Sequence, residues 1–454
     1  MPQIIIIGAG LTGLSAAYHL EKKGFTDYII IEKELKAGGL CRSVFQDGFI
    51  FDYTGHLLHS NNAYFDSFIR EIGHIHFNKI DRHSAIYSQS IYTDYPYQQN
   101  LYGLPTPTII ECIEGYLSRE TSIEDPKSFA EWVLKFFGVG FGKNFFFPYQ
   151  QKLLKFDPKK LMASWTGRFV PNTSLRDILY GALEKRKSDV GYNASFLYPR
   201  SGGIQVLADA LAAKVKSKIM MGVSVVSVDV SKKIVFLSDG NSFSYDTIIT
   251  TMPLDSLLKS IEDSSTTSFV HAVAKLKCTS VVCLNLGLSR GMGNKHWIYY
   301  PEKKYPWYRV GFYNNFSSSL VPPGCSSLYC ETAYRRVKNK QVIIDNSRKR
   351  LKRLLRIGDG DIVTENVLFL SHAYVVYDAW REKNLTKILE RLQVESIYSI
   401  GRYGAWKYSS MQESILDGKE IAEKVTIQPA KTFFSFTSVP TCIPGGRKEH
   451  EIER

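Results

Sequence analysis

Cysteine and acidic residues are thin in this chain, and several kinds of segment are missing from it altogether. The seven cysteines (Cys41, Cys112, Cys278, Cys283, Cys325, Cys330, Cys442) form no Cys-x-x-Cys pair and no Cys/His spacing suited to zinc. That excludes a disulfide-stapled or zinc-built fold and points to reduced thiols in a cytoplasmic protein. No apolar run approaches the roughly 18 residues of a membrane-spanning helix, and the first strand begins at Gln3, so neither a span nor an export signal is expected. No Ser/His/Asp or Cys/His arrangement and no metal cluster stands out, and no internal repeat or low-complexity tract is present. Acidic residues number 44 against 57 lysines and arginines, leaving a formal charge of +13 that favours an anionic partner: a nucleotide, a phosphorylated sugar, a nucleic acid or an acidic membrane surface. What is there is a globular composition, with 44% hydrophobic and 22% charged residues over 454 positions, which exceeds one ordinary core and implies two or three domains.

The opening stretch carries the first positive signal. Ile4-Ile5-Ile6-Ile7 reads as a buried parallel strand, and Gly8-Ala9-Gly10-Leu11-Thr12-Gly13 then opens a helix that runs to about Lys23. Glycines at this spacing allow a tight turn, close approach of backbone amides to a pyrophosphate, and close packing of the helix on the sheet. A second strand, Tyr28 to Ile31, ends in Glu32 and Lys33, and Glu32 lies about 20 residues past the glycines, where a carboxylate meets the ribose hydroxyls of an adenine dinucleotide. An ordinary βαβ unit is the alternative. Gly38-Gly39-Leu40-Cys41-Arg42-Ser43 adds a second flexible turn and a cation where a longer, two-headed cofactor would continue.

This second turn resembles the glycine-glycine-x-x-Arg-Ser segment of the flavoproteins that include amine oxidases, protoporphyrinogen oxidases and UDP-galactopyranose mutases, and the resemblance implies extended FAD. Later stretches resemble the mutases. Gly55-His56, in "GFIFDYTGHLLHS", resembles the mutase stretch lying against the isoalloxazine, with Thr54 in place of a glycine. His59 reads as a loop histidine. "YPYQ" matches a uracil-cradling segment, which implies base contacts for Tyr95, Tyr97 and Gln98. "FFFPYQQKLL" resembles a mutase helix in which Gln150 replaces an asparagine and Leu154 a tryptophan. In "KHWIYYPEKKYPWYRVGFYNNFSS" the spacing of Trp297, Tyr299, Pro301, Glu302, Pro306, Tyr308, Arg309, Asn315 and Ser317 is similar to that of the mutases, with Phe316 where they carry a second phosphate tyrosine. The resemblance gives Arg309 and Tyr299 to the substrate pyrophosphate, with Arg168 as the second arginine. It gives Gly401, Arg402, Met411 and Gln412 to the cofactor, Tyr408 and Tyr374 to the substrate, Asn193 to the sugar, and Val225 to the adenine.

The expected architecture is α/β: a discontinuous Rossmann-type FAD domain (1–72, 191–252 and 391–425), a helical substrate domain (73–190), an antiparallel sheet domain (253–390) and a polar, loosely ordered tail (429–454). "SRKRLKRLLRI", from Ser347 to Ile357, reads as a solvated amphipathic helix rather than a nucleic-acid or membrane patch. With no protein nucleophile in evidence, a flavin must carry the hard chemistry. The resemblance implies an FAD-dependent nucleotide-sugar mutase that interconverts ring sizes through a reduced-flavin–sugar adduct, with no net redox change and with His56, Arg309 and Arg168 as its catalytic residues. NAD(P)H is a candidate external reductant, and sugar, nucleotide and oligomeric state are left open. Two rivals stay open: a flavin oxidase or dehydrogenase of the amine or protoporphyrinogen oxidase type, and a basic nucleic-acid or membrane-binding protein.

Overall fold

The computed structural model describes residues 3–166, 170–185, 194–262 and 267–427. Its first layer is a five-stranded, all-parallel sheet in the order Ile397–Ser399, Thr247–Thr250, Ile4–Ile7, Tyr28–Glu32, Ile219–Met221. Every residue of Ile4–Ile7 is buried, because a parallel strand covered on both faces must be apolar throughout. Three remote passages of the chain build this one sheet. Helix Leu11–Lys22 covers it and is itself covered by helix Met411–Ile427; a Cβ on Gly418 would lie 2.6 Å from the Thr12 carbonyl oxygen, and Ser15 Oγ donates to the Ile415 carbonyl at 2.7 Å. The last described helix is therefore locked to the first. A smaller four-stranded sheet holds Val225–Asp229, whose first residue pairs with Leu237.

The second large layer has seven strands in the order Ile362–Val375, Cys278–Leu288, Ser326–Tyr334, Arg309–Phe312, Trp297–Tyr299, Ser84–Ser88, Ile91–Asp94. The five strands from 253–390 pair antiparallel with one another, as expected, and the sheet becomes mixed only where Trp297–Tyr299 runs parallel to Ser84–Ser88. Alternation along a strand shows that it is a strand but says nothing of the direction of a remote partner. The segment read as helical from 73 also begins with three strands, Phe77–Asp81, Ser84–Ser88 and Ile91–Asp94. The last two form a hairpin around Gln89 and Ser90, both left-handed (φ 52° and 67°), as a tight two-residue hairpin loop requires. Glutamine and serine are poor announcers of such a turn, which is why it escaped notice.

Helices follow at Thr106–Leu117, Phe129–Phe136, Phe147–Leu154 and Leu175–Leu183, packed on Phe129, Trp132, Phe137, Phe141 and Phe145. Ser128 and Glu131 make a reciprocal capping box at the second of these. A π-helical turn, Gly142–Phe146, leads directly into Phe147–Leu154. Helix Gln341–Leu355 buries Ile344, Ser347 and Leu351 and turns its cations outward, with Arg348 paired to Glu365 and Asp345, so it is the amphipathic helix its spacing predicted. Among the described residues no helix is long and apolar enough to cross a membrane. The tail read from 429 lies outside the described residues.

Candidate active site

Two assemblies meet between the layers. The first is a backbone cradle at the carboxyl end of the parallel strands. Gly8 has φ +101°, and a Cβ there would strike Thr251 Oγ1 at 2.3 Å. The two glycine turns abut: Gly10 bridges Gly38, and a Cβ on Gly39 would lie 3.3 Å from the Gly10 Cα. Gly13 lies under the turn, with no room for a side chain against the Gly8 carbonyl. Leu11 and Thr12 are buried at the start of the helix, and Gly401 (φ +76°) rests against Thr12 Oγ1. Glu32 is buried and accepts the Ala9 N–H at 2.7 Å and the Glu34 N–H at 2.9 Å, which fixes its carboxylate at the strand end. A side-chain-free cradle, a helix N-terminus and a buried carboxylate fit a dinucleotide.

The remaining cofactor candidates take different positions. Lys33 extends away, 69% exposed, 3.8 Å from Glu34. Arg42 donates to the Gly39 carbonyl at 2.7 Å and to Glu34 at 3.1 Å, so it braces the second glycine turn. Leu40 packs beside the Phe49/Phe51 core, and Val225 is half-buried in the small sheet. Met411 is buried at the start of its helix, while Gln412 bridges to Asn61 through two hydrogen bonds, at 2.9 and 2.7 Å.

Between cradle and large sheet runs the Thr54-Gly55-His56 turn. Asp52 anchors it: the carboxylate accepts from Ser43 Oγ (2.6 Å), Tyr198 OH (2.5 Å) and the Ile204 N–H (3.1 Å), and its backbone carbonyl accepts from Tyr313 OH (2.8 Å). Burial pushes the Asp52 carboxyl up to about 6 against these hydrogen bonds. Thr54, where the resemblance has glycine, sits at φ +82°, a strained backbone for a β-branched residue. Gly55 leaves the Tyr329 hydroxyl where a Cβ would come within 2.3 Å. His56 Nδ1 is buried without a hydrogen-bond partner among the described residues, and burial, with the Arg402 and Arg309 cations, holds the imidazole down to about 4. His56 is therefore neutral over the physiological range. His59 is a loop residue whose ring lies against Phe196.

The second assembly is a chamber of tyrosines and guanidinium groups on the large sheet. Tyr299, Arg309 and Glu331 are cross-strand neighbours, and Arg309 is clamped by Glu331 through Nε and, at 2.9 Å, through Nη2. Glu331 is fully buried; against the cost of burial, its carboxylate holds the Arg309 pKa well above the ordinary value. Tyr299 lies 5.5 Å from both Tyr95 and Tyr149, and Tyr308 lies 6.1 Å from Tyr374. Arg402 sits opposite, 5.7 Å from the Tyr374 ring and 4.6 Å from that of Tyr408, and donates to the carbonyls of Ser409 (2.6 Å) and Ala373 (3.1 Å). Among the described residues no carboxylate pairs with Arg402. Burial opposes its charge, but the surrounding phenols hold its pKa above the usual range.

Gln150 is buried with Oε1 unpartnered among the described residues, on the helix that also carries Tyr149. Tyr97 is a core residue, stacked on Phe145 at 5.0 Å, and Gln98 is turned to the Pro171 carbonyl at 2.7 Å. Arg168 and Asn193 lie outside the described residues. Sequence reasoning missed Glu331, although one acid inside the otherwise uncharged run "SSLYCETAY" was a usable signal. Tyr149 lies in the quoted "FFFPYQQKLL" without a role given to it, and Tyr329 has nothing local to distinguish it from a core tyrosine.

Comparison with known proteins adds the following. Residues 11–426 match the family model of flavin-containing amine oxidoreductases. A structure of reduced UDP-galactopyranose mutase superposes with a TM-score of 0.88 at 27% identity, covering 94% of this chain and 96% of that one. Cyclohexylamine oxidase from Brevibacterium oxydans gives 0.66 at 14% identity, over 94% and 99% of the two chains, a likeness of fold alone. Hydroxysqualene dehydroxylase of Rhodopseudomonas palustris is 43% identical over 70 residues, 15% of this chain and only 16% of that protein's length.

Proposed function

The chain belongs to the flavin-containing amine oxidoreductases, and from that premise we propose that it is an FAD-dependent mutase of the UDP-galactopyranose type, acting on a nucleoside-diphosphate sugar. The observation that carries the reading is the charge of the chamber. Arg309 is neutralised by Glu331, but Arg402 has no carboxylate partner among the described residues, so the tyrosine-lined space is net positive. Such a chamber repels the ammonium of an amine substrate and attracts a diphosphate. The structural likeness to the mutase extends over almost the whole chain and exceeds that to the amine oxidase.

On this reading reduced FAD, when bound, supplies the nucleophile. The protein's residues bind and orient. Arg309, held in one geometry by Glu331, offers its remaining Nη1 edge to the diphosphate as charge develops there, and Arg402 adds the uncompensated cation. Tyr95 supplies a ring face for the base, the vacant Gln150 Oε1 accepts a hydrogen bond from base or sugar, and Tyr299, Tyr374 and Tyr408 donate to phosphate oxygens. His56, neutral, packs against the cofactor without adding charge. Arg168 and Asn193 are proposed to complete the substrate site. The three passages 1–72, 191–252 and 391–425 form the cofactor unit, and an external donor such as NAD(P)H keeps the flavin reduced.

The test is titration of purified holoprotein, oxidised and dithionite-reduced, with UDP and UDP-galactopyranose, followed by sugar product analysis. The expected result is UDP binding that weakens about tenfold or more in Arg309→Ala, with furanose formed only when the flavin is reduced. Absence of nucleotide binding in both redox states, or bleaching of oxidised flavin by an amine alone, overturns the reading in favour of an oxidase.

A further inference from the structure

Helix Phe147–Leu154 has a second face. Tyr149 faces Tyr299 in the chamber, whereas Lys152 forms part of the wall of a separate cavity of about 490 Å³. Lys152 is only 7% exposed. Its ammonium donates to the Tyr300 carbonyl at 2.6 Å and the Glu302 carbonyl at 2.5 Å, and its third N–H has no acceptor among the described residues. Among the described residues no carboxylate is paired with it, since the Glu302 side chain is turned to the Gln89 N–H (3.1 Å) and to Lys304 (3.0 Å). Lys155 and Lys303 line the same cavity, with Asp157 as its one acid, and Phe156 and Tyr305 give it flat apolar walls. Asp157 is partly engaged, accepting the Lys159 N–H at 3.0 Å.

A buried cation is stable only when something compensates its charge, and here two carbonyl dipoles do so in part. Burial, with the neighbouring Lys155 charge, pushes the ammonium down to about 7, while Glu302 and Cys330 act weakly in the other direction. The missing partner is a negative charge, and Lys152 shares its cavity with two more ammonium groups, those of Lys155 and Lys303. Ammonium groups bind phosphate as point charges. The volume exceeds that of a bare phosphate and leaves room for an organic portion against Tyr305 and Phe156.

We propose that this cavity is a second ligand site, distinct from the substrate chamber, which takes a multiply charged phosphate against Lys152, Lys155 and Lys303. It does not depend on the mutase reading.

The test is calorimetric titration of the holoprotein with tripolyphosphate, inorganic phosphate and ribose 5-phosphate, in the wild type, in Arg309→Ala and in the double variant Lys155→Gln/Lys303→Gln. The two lysines of the double variant are exposed, so the fold is kept. The expected result is saturable binding that survives in Arg309→Ala and weakens about tenfold in the double variant, with a steep dependence on salt. Tighter binding of ribose 5-phosphate than of inorganic phosphate assigns the site to a phosphate ester, and equal binding to free phosphate. No saturable binding up to about 10 mM, or binding lost in Arg309→Ala and unchanged in the double variant, overturns the proposal.

Discussion

The cradle and the chamber sit side by side yet are built on opposite principles. The cradle is backbone: Gly8, Gly10, Gly13 and Gly39 leave space by having no side chains, and its one carboxylate, Glu32, already accepts two amides. The chamber is side chain: two guanidinium groups, a fully buried glutamate and a ring of tyrosines, with Tyr329 OH unpartnered among the described residues. A site made by omission tolerates no additions, whereas a site made of buried charge tolerates no removals.

The sharpest break of that contrast is an added methyl group. Gly13→Ala places a Cβ 1.9 Å from the Gly8 carbonyl oxygen, and we expect nearly all bound flavin to be lost, read as flavin absorbance per chain. Retention of full flavin content would show that the cradle bends where the geometry is rigid. In the chamber the damaging change is a deletion. Glu331→Ala leaves the half-buried Arg309 cation, 18% exposed, without its carboxylate and should cost about 3 kcal/mol in denaturant unfolding, the low end for breaking a buried pair, while Glu331→Gln, which keeps the shape, should cost less. Equal costs for the two would mean that the ion pair is not what matters there.

The turn between the regions gives a smaller, pH-dependent effect. His56 is held at about 4, below its ordinary 6.5. The unfolded chain therefore binds more protons than the folded one below pH 6.5, and stability falls as pH drops from 6.5 towards 4, by about 3 kcal/mol for this residue. His56→Asn should flatten that part of the stability curve; an unchanged slope assigns it to other groups such as His296, which is also held at about 4. The smallest expected effect is Thr54→Gly. Relief of the strained φ of +82° should stabilise the protein by about 1 kcal/mol, seen as a Tm about 1 °C higher in a chain of 454 residues. A lower Tm would mean that Thr54 makes a contact that offsets its strain.

The two regions also differ in how far they were legible. Strand, glycine turn, helix, strand and acid lie within one stretch from Ile4 to Glu32, so their relation in space follows from chain connectivity. In the chamber, residue types were readable but roles depended on partners. Arg309 was visible as a cation, while the carboxylate clamping it lies 22 residues away across a strand pair. Tyr97 and Tyr95 look equivalent in "YPYQ", yet one is stacked in the helical core and the other faces Tyr299. The hairpin at Gln89-Ser90 lacked a turn signature, and with it went the mixed character of the seven-stranded sheet.

By itself the sequence determined the parallel sheet, the two glycine turns and the flavoprotein family, because short-range periodicity and steric demands on glycine are local properties. Only the tertiary structure decided which cations are neutralised. Arg309 has Glu331, Arg402 has carbonyls and tyrosine rings but no carboxylate among the described residues, and Lys152 lies buried beside a basic cavity. Electrostatics in a low-dielectric interior depend on the few ångströms between groups remote in sequence, and strand register sets those distances.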